Sequence, residues 1–248
     1  MGGISLEHEV SLLSGQGVID ALLVSGYEPI AICLQKDGLW RFSDDAPITV
    51  QEAISQLAQI DPACIFIALH GPNGEDGRIQ GLFDCLGFPY TGSGCAASAL
   101  SMDKIRAKAI VNDFKVKTAH HLVISHEEWL CDYKSVVNRV EEETGLPAVI
   151  KAPSQGSSFG MAIPHNNHDF IRNMNEIIGL ENVVMVEQYI EGIEVTCSIL
   201  DISTQDKPQA LPVTEIRPAT SPYFDYFAKY TPGASQEITP ASIGEHLT

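Results

Sequence analysis

The chain has 248 residues, 44% of them hydrophobic and 19% charged, which excludes a disordered polypeptide and supplies apolar side chains for more than one core. Fifteen Lys and Arg stand against 32 Asp and Glu, a net charge of −17. Long-range repulsion of phosphate therefore argues against nucleic acid and against membrane as partners, and any bound anion needs a few positioned donors. No run reaches the roughly 18 to 20 apolar residues of a membrane span, and the segment Met1 to Glu9 lacks the basic region and apolar core of a secretory signal. Six cysteines (33, 64, 85, 95, 131, 197) include no C-x-x-C pair. Those at 33, 64, 85 and 197 lie in apolar runs, where buried free thiols are expected, and a reduced cytoplasmic protein is the better reading.

In chain order, Glu7-His8-Glu9 opens a helix, and Pro29 to Gln35 and Cys64 to His70 read as buried strands of a parallel sheet covered on both faces. Between them Thr49-Val50-Gln51-Glu52 is a capping box, followed by Ala53, Ile54 and Leu57 at helical spacing. Asp76 is expected to cap a helix carrying Ile79, Leu82, Phe83 and Leu86. After the short strand Phe88 to Thr91, Gly92-Ser93-Gly94 turns into a helix beginning near Ala96. A further helix carries Met102, Lys104, Lys108 and Phe114. A second capping box, Ser125 to Glu128, opens a helix with Trp129, Tyr133, Val136, Val137 and Val140 on one side. Then come a strand (Pro147 to Lys151), a small-residue loop, a helix (Phe170, Met174, Ile177, Ile178) closed by Gly179, and a strand (Val183 to Tyr189). Ile193 to Leu200 and Leu211 to Ile216 read as a strand pair joined by a polar excursion, and Arg217 to Thr248 reads as loop.

Three segments invite chemistry. Lys151-Ala152-Pro153-Ser154-Gln155-Gly156-Ser157-Ser158-Phe159-Gly160 sets a lysine at a strand end before small residues, whose N–H groups can wrap a nucleotide phosphate; a mobile surface loop is an equal reading of this segment alone. Gly156 to Gly160 also fits G-x-S-x-G, with Ser158 as a hydrolase nucleophile, but four residues separate the strand from the motif where an elbow follows at once. Gly92 to Ala97 matches G-x-G-x-x-A, yet it follows several elements rather than the first strand, so helix packing is the better reading. The histidines at 120, 121, 126, 165 and 168 form no metal spacing. Glycine-rich His70 to Gly77 ends a strand at the edge that faces a ligand crevice in open α/β sheets.

Taken together, these segments resemble the D-alanine-D-alanine ligase family, of ATP-grasp fold. The resemblance rests on Gly2-Gly3-Ile4-Ser5-Leu6-Glu7-His8-Glu9-Val10-Ser11, on Ala68 to Gly71 with Gly74-Glu75-Asp76-Gly77 and Gln80-Gly81, and on Pro89 to Gly94 leading into Ser98 to Lys104. It continues through Lys151 to Gly160 (with alanine at 152 in place of the usual proline), Glu187 to Glu194 and Phe224 to Tyr230. It implies an α/β chain: an N-terminal parallel α/β (pre-ATP-grasp) substrate-binding domain over 1–93, then an ATP-grasp domain with a central subdomain over 94–186 and the start of a C-terminal subdomain over 187–248. It implies ATP-dependent joining of two D-alanines through an acylphosphate, for peptidoglycan precursor synthesis, with Mg²⁺ (or Mn²⁺), and a homodimer formed through the N-terminal domain.

The implied roles are specific. Lys104 and Lys151 hold ATP phosphates with Ser158, Glu187 and Tyr189 line the adenine pocket, Glu194 binds the ribose, and Lys229 reaches the γ-phosphate. Glu7 binds the ammonium of the first D-alanine and His70 lies near its carboxylate. Ser157 and Tyr230 complete a hydrogen-bonded set with Glu7, and Tyr230 favours an amine over D-lactate as second substrate. The family's first strand precedes its opening glycines, and its metal-binding Asp, Glu and Asn follow the segment that ends here. The expectation is a fragment truncated at both ends, the metal ligands lying past Thr248, with little ligase activity alone. Two alternatives stand beside it: another ATP-grasp carboxylate–amine or carboxylate–hydroxyl ligase, and a non-catalytic ATP-binding module.

Overall fold

The computed structural model describes residues 1–202 and 207–243, and divides into two compact units. The first holds residues 1–118 with 153–156; the second holds 119–152 and the described residues from 157 onward. Parts of the 201–210 excursion and of the 217–248 stretch thus lie outside the described residues.

In the first unit, α1 (His8–Val24) is followed by β1 (Ile32–Leu34) and β2 (Trp40–Phe42), which pair antiparallel. Helix α1 buries polar rather than apolar residues: His8, Ser11 and Gly15 are inside, while Leu13, Leu23 and Val24 are exposed. Helix α2 (Val50–Ile60) starts at the expected capping box, Thr49 and Glu52 bonding each other's backbone N–H, and buries Ala53 and Leu57. Helix α3 (Arg78–Leu86) is capped by Gly77 rather than Asp76. The Asp76 carboxylate still accepts from the N–H groups of Arg78 and Asn73, so it braces the turn from one residue further back. Leu86 is exposed, while Ile79 and Phe83 join Trp40, Phe42, Ala53, Leu57 and Leu69 in the core.

Helices α4 (Cys95–Met102) and α5 (Lys104–Asp113) are the two expected here, except that Met102 ends α4 rather than joining the second helix, and Phe114 is the C-cap of α5. Asp103 turns extended between them and its carboxylate caps the N–H groups of Ile105 and Arg106, a stronger arrangement for that residue than a mid-helix position.

Parallel pairing in this unit consists of single bridges, Gly2 with Leu34 and Ile65 with Tyr90. Segment 64–70 is extended but not a continuous buried strand. Side chains satisfy its backbone instead: Ser11 donates to the Ala68 carbonyl (2.6 Å), Ser5 to that of His70 (2.7 Å), and Thr91 accepts from the Ile67 N–H (3.3 Å). Cys64 is therefore exposed, as are Cys85 and Cys197; of the four cysteines expected to be buried only Cys33 is, and all six are free thiols.

The second unit contains β3 (His121–Ser125), α6 (His126–Glu143), β4 (Ala148–Lys151), β5 (Met161–Ala162), α7 (Asn167–Ile177) and β6 (Val183–Gln188). The strands form one antiparallel sheet in the order β3-β6-β4-β5. Its core joins Ile124, Ile150, Val184 and Val186 of the sheet to Trp129, Val136 and Val140 of α6 and to Phe170 and Met174 of α7. Ser125 caps α6 through the Glu128 N–H, but Glu128 pairs with Arg139, so the box is one-sided. Helix α6 kinks at Asp132, and Tyr133 is exposed. Helix α7 ends at Ile177 with Ile178 as its C-cap, and Gly179 follows directly after the cap.

The expected strand pair forms in two pieces: β7 (Glu194–Thr196) with β10 (Thr214–Pro218), and β8 (Ile199–Leu200) with β9 (Gln209–Ala210). The stretch expected as loop instead carries α8 (Tyr226–Tyr230) and β11 (Ser235–Ile238), the latter extending the sheet beside β10. Asp225 caps α8 through the Ala228 N–H at 2.8 Å, a start signal of one residue ahead of a helix too short to show periodicity. No helix among the described residues is long and apolar enough to cross a membrane.

Candidate functional site

In the first unit, Glu7 and His70 share one neighbourhood. Glu7 heads α1 and is buried, at 7% exposure. Its carboxylate lies against two glycines: a Cβ at Gly71 would stand 2.6 Å from Oε2, and one at Gly156 3.1 Å. Any larger residue would displace the acid. His70 is held at both ring nitrogens, Nε2 2.9 Å from Ser14 Oγ and Nδ1 3.5 Å from Glu75 Oε1. The network assigns the Nδ1 proton to the Glu75 side. Glu75, aided by the charge of Glu7, raises the His70 pKa above its ordinary value against the opposing effect of burial. A carboxylate beside a readily protonated imidazole matches the two charges of an amino-acid zwitterion.

Lys104 opens α5, and its ammonium donates to the carbonyls of Gln155 (2.5 Å) and Pro153 (3.3 Å). It thus shapes the 153–156 segment of the small-residue loop.

In the second unit, Lys151 at the end of β4 forms an ion pair with Glu187 of the neighbouring β6. Glu187 is 7% exposed, so its charge is largely withdrawn from water and is compensated by the half-buried Lys151. Glu194, on β7, has its pKa raised by burial, while Lys229 and then Lys151 draw it down. The two lysines and two glutamates therefore form one electrostatic group. Lys229, on α8, stands 5.3 Å from the centre of the Phe224 ring, within cation–π range. Tyr189 follows β6 and is partly exposed.

Ser157 Oγ and Tyr230 OH are 2.6 Å apart, and the Tyr230 ring packs edge-on against Tyr226. Ser158 Oγ donates to the Phe224 carbonyl at 2.9 Å. A hydroxyl nucleophile gives its proton to a base; that of Ser158 is committed to a backbone oxygen, which speaks against the hydrolase reading. Among the described residues, no group of three His, Cys, Asp or Glu is arranged to hold a metal ion.

Sequence reasoning assigned no role to Ser14, Glu75 or Phe224. A signal for Ser14 was present: Glu7, Ser11 and Ser14 follow at helical spacing, which puts three polar side chains on one face of the helix. Glu75 and Phe224 stood inside quoted motifs, but nothing in their spacing names His70 or Lys229 as partners.

Known proteins similar to this chain agree among themselves. The family model described as D-ala D-ala ligase C-terminus matches residues 110–248, and that described as D-ala D-ala ligase N-terminus matches 47–93. A D-alanine–D-alanine ligase from Pelotomaculum thermopropionicum is 43% identical over 99% of this chain and 71% of its own length. One from Desulforudis audaxviator is 41% identical over 98% of this chain and 72% of its own length. Among solved structures, the VanG D-Ala:D-Ser ligase from Enterococcus faecalis has a TM-score of 0.77 at 27% identity, covering 99% of this chain and 76% of that one. The D-alanine–D-alanine ligase from Bacillus anthracis complexed with ATP has a TM-score of 0.68 at 29% identity, covering 96% and 68%.

Proposed function

Because the chain belongs to the D-alanine–D-alanine ligase family, we propose that it serves the ATP-dependent joining of two D-alanines into D-alanyl-D-alanine. The observation that carries this reading is the group of Lys151, Glu187, Glu194 and Lys229: two cations and two acids, of which Glu187 is buried, on three strands and the α8 helix. An acidic protein binds a polyanion only where such cations are positioned.

A carboxylate is a poor acyl donor at neutral pH. In the first step a carboxylate oxygen of D-alanine attacks the γ-phosphorus and ADP leaves, giving an acylphosphate. In the second, the deprotonated amine of another D-alanine attacks the acyl carbon, and phosphate leaves from a tetrahedral intermediate. Glu7 pairs with the ammonium of the first D-alanine, and His70, kept protonatable by Glu75, faces its carboxylate. Lys151 and Lys229 offset charge on the transferred phosphoryl, the main electrostatic task of such a transfer. Lys104 orders the 153–156 segment by donating to its carbonyls, and its charge favours the phosphates. Glu187 and Tyr189 take the adenine, Glu194 the ribose, and the Ser158 N–H a phosphate. Ser157 and Tyr230, hydrogen-bonded to each other, act at the substrates, with Tyr230 favouring an amine acceptor.

In this reading residues 1–93 bind the first D-alanine and carry the dimer contact, 94–186 form the central ATP-grasp subdomain, and 187–248 begin the C-terminal one. Magnesium accompanies ATP; the described residues do not fit a resident metal site. Consumption of ATP and six free thiols suit the cytoplasm. Titration of the 248-residue chain with a non-hydrolysable ATP analogue, and separately with D-alanine, tests the proposal. Saturable binding of both is expected, with D-alanine preferred over L-alanine; absence of nucleotide binding contradicts it.

A further inference from the structure

The two serines at the end of the small-residue loop adopt an unusual backbone. Ser157 has φ 47° and Ser158 φ 60°, so consecutive L-residues occupy the left-handed region where glycine is at ease. Two left-handed serines carry a conformational cost that glycine would remove, so a compensating gain from their side chains is expected. The hydroxyls supply one. Ser157 bonds Tyr230, and Ser158 donates to the carbonyl of Phe224. The ring of that same Phe224 lies under the Lys229 ammonium, and its carbonyl directly precedes Asp225, the cap of α8.

We propose that Ser158 is a positioning residue whose hydroxyl fixes Phe224, and that Phe224 in turn aims the Lys229 ammonium. The hydroxyl anchors the backbone at 224, the ring gives the cation a face to rest on, and the Asp225 cap starts the helix that presents Lys229 from its last turn. Lys229 is thereby oriented by the fold before a nucleotide arrives, which removes part of the side-chain ordering cost from binding. The inference rests on the nucleotide-binding reading only for its consequence; the latch itself is a property of the protein without ligand.

The test separates the hydroxyl from the backbone shape. Ser158→Gly deletes the hydroxyl but suits a φ of 60°, whereas Ser158→Ala deletes it and keeps the backbone cost. The first readout needs no nucleotide: the rate of tryptic cleavage after Lys229 in the ligand-free chain. Loss of one hydrogen bond to a partly buried carbonyl is expected to raise it about fivefold in both variants. Phe224→Leu is expected to behave likewise and Phe224→Tyr to retain protection. The second readout is affinity for a non-hydrolysable ATP analogue, expected to fall about five- to tenfold in both Ser158 variants, with adenosine affinity unchanged. Wild-type cleavage rates in both Ser158 variants would overturn the proposal, as would a Ser158→Gly chain that binds the analogue as wild type does. If the wild-type chain binds no nucleotide while the cleavage rates still rise, the latch stands and the nucleotide reading fails.

Discussion

Replacing Gly71 with alanine should do two separable things. Its φ of +71° lies in the left-handed region, which costs an L-residue about 1–2 kcal/mol. The new methyl would also stand 2.6 Å from Glu7 Oε2 and 3.2 Å from Ser5 Cβ, in a spot that Gly156 also approaches. Overpacking of this kind costs a further ~1–3 kcal/mol. Gly26 is the control: its φ is +81° and a Cβ there meets nothing within 4 Å, so Gly26→Ala carries the backbone cost alone. Urea unfolding followed by Trp40, a buried member of the first unit's core, in a Trp129→Phe background reports that unit. Gly71→Ala is expected to cost at least about 1 kcal/mol more than Gly26→Ala, and in a Glu7→Ala background most of that excess should vanish, leaving the milder contact with Ser5. Equal costs for the two glycine variants would refute the placement of the carboxylate, and so would an excess undiminished by removal of Glu7. D-alanine affinity should fall in Gly71→Ala and hold in Gly26→Ala.

Other consequences are as direct. Glu75 holds the His70 pKa above its ordinary value, so this contact contributes stability that is complete below the imidazole's unfolded pKa and is lost as pH rises through the folded one. Glu75→Gln should return the His70 titration, followed by NMR, toward about 6.5 and flatten the pH dependence of stability in that window. Lys229→Met should raise the Glu194 pKa further, since Lys229 is the larger of the two cationic influences opposing burial; an unchanged carboxyl titration would place Lys229 elsewhere. Phe170→Ala removes a ring that is 1% exposed and edge-on to Trp129, and should cost about 3–5 kcal/mol in the second unit as read by Trp129 fluorescence; a loss under 1 kcal/mol would deny the core described for it.

Legibility of the fold followed the strength of local chemistry. The α2 capping box and the apolar faces of α6 and α7 were readable because side-chain periodicity and caps are encoded within one turn. The 64–70 segment was misjudged because its partners are hydroxyls of Ser5, Ser11 and Thr91, far away in sequence and without a periodic signature. Met102 was assigned to the second of two adjacent helices because α4 and α5 abut with one residue between them; it ends α4 instead. Helix α8 is five residues long, below the length at which periodicity speaks. At the candidate site, the residue types came from motif resemblance. What the sequence did not carry was who holds whom: that Ser14 and Glu75 grip His70, that Lys151 faces Glu187, and that Phe224 lies under Lys229.

The central claim is that Lys151 and Lys229 serve a triphosphate, and calorimetric titration of Lys151→Met and Lys229→Met with ATP and with adenosine tests it most directly. A charged hydrogen bond is worth about 1.5–3 kcal/mol, so each variant should bind ATP about ten- to a hundredfold more weakly, while adenosine affinity changes less than about twofold in Lys229→Met and falls less than ATP affinity in Lys151→Met, which also strips Glu187 of its partner. ATP affinity that survives both substitutions, or that falls in step with adenosine affinity, would contradict it.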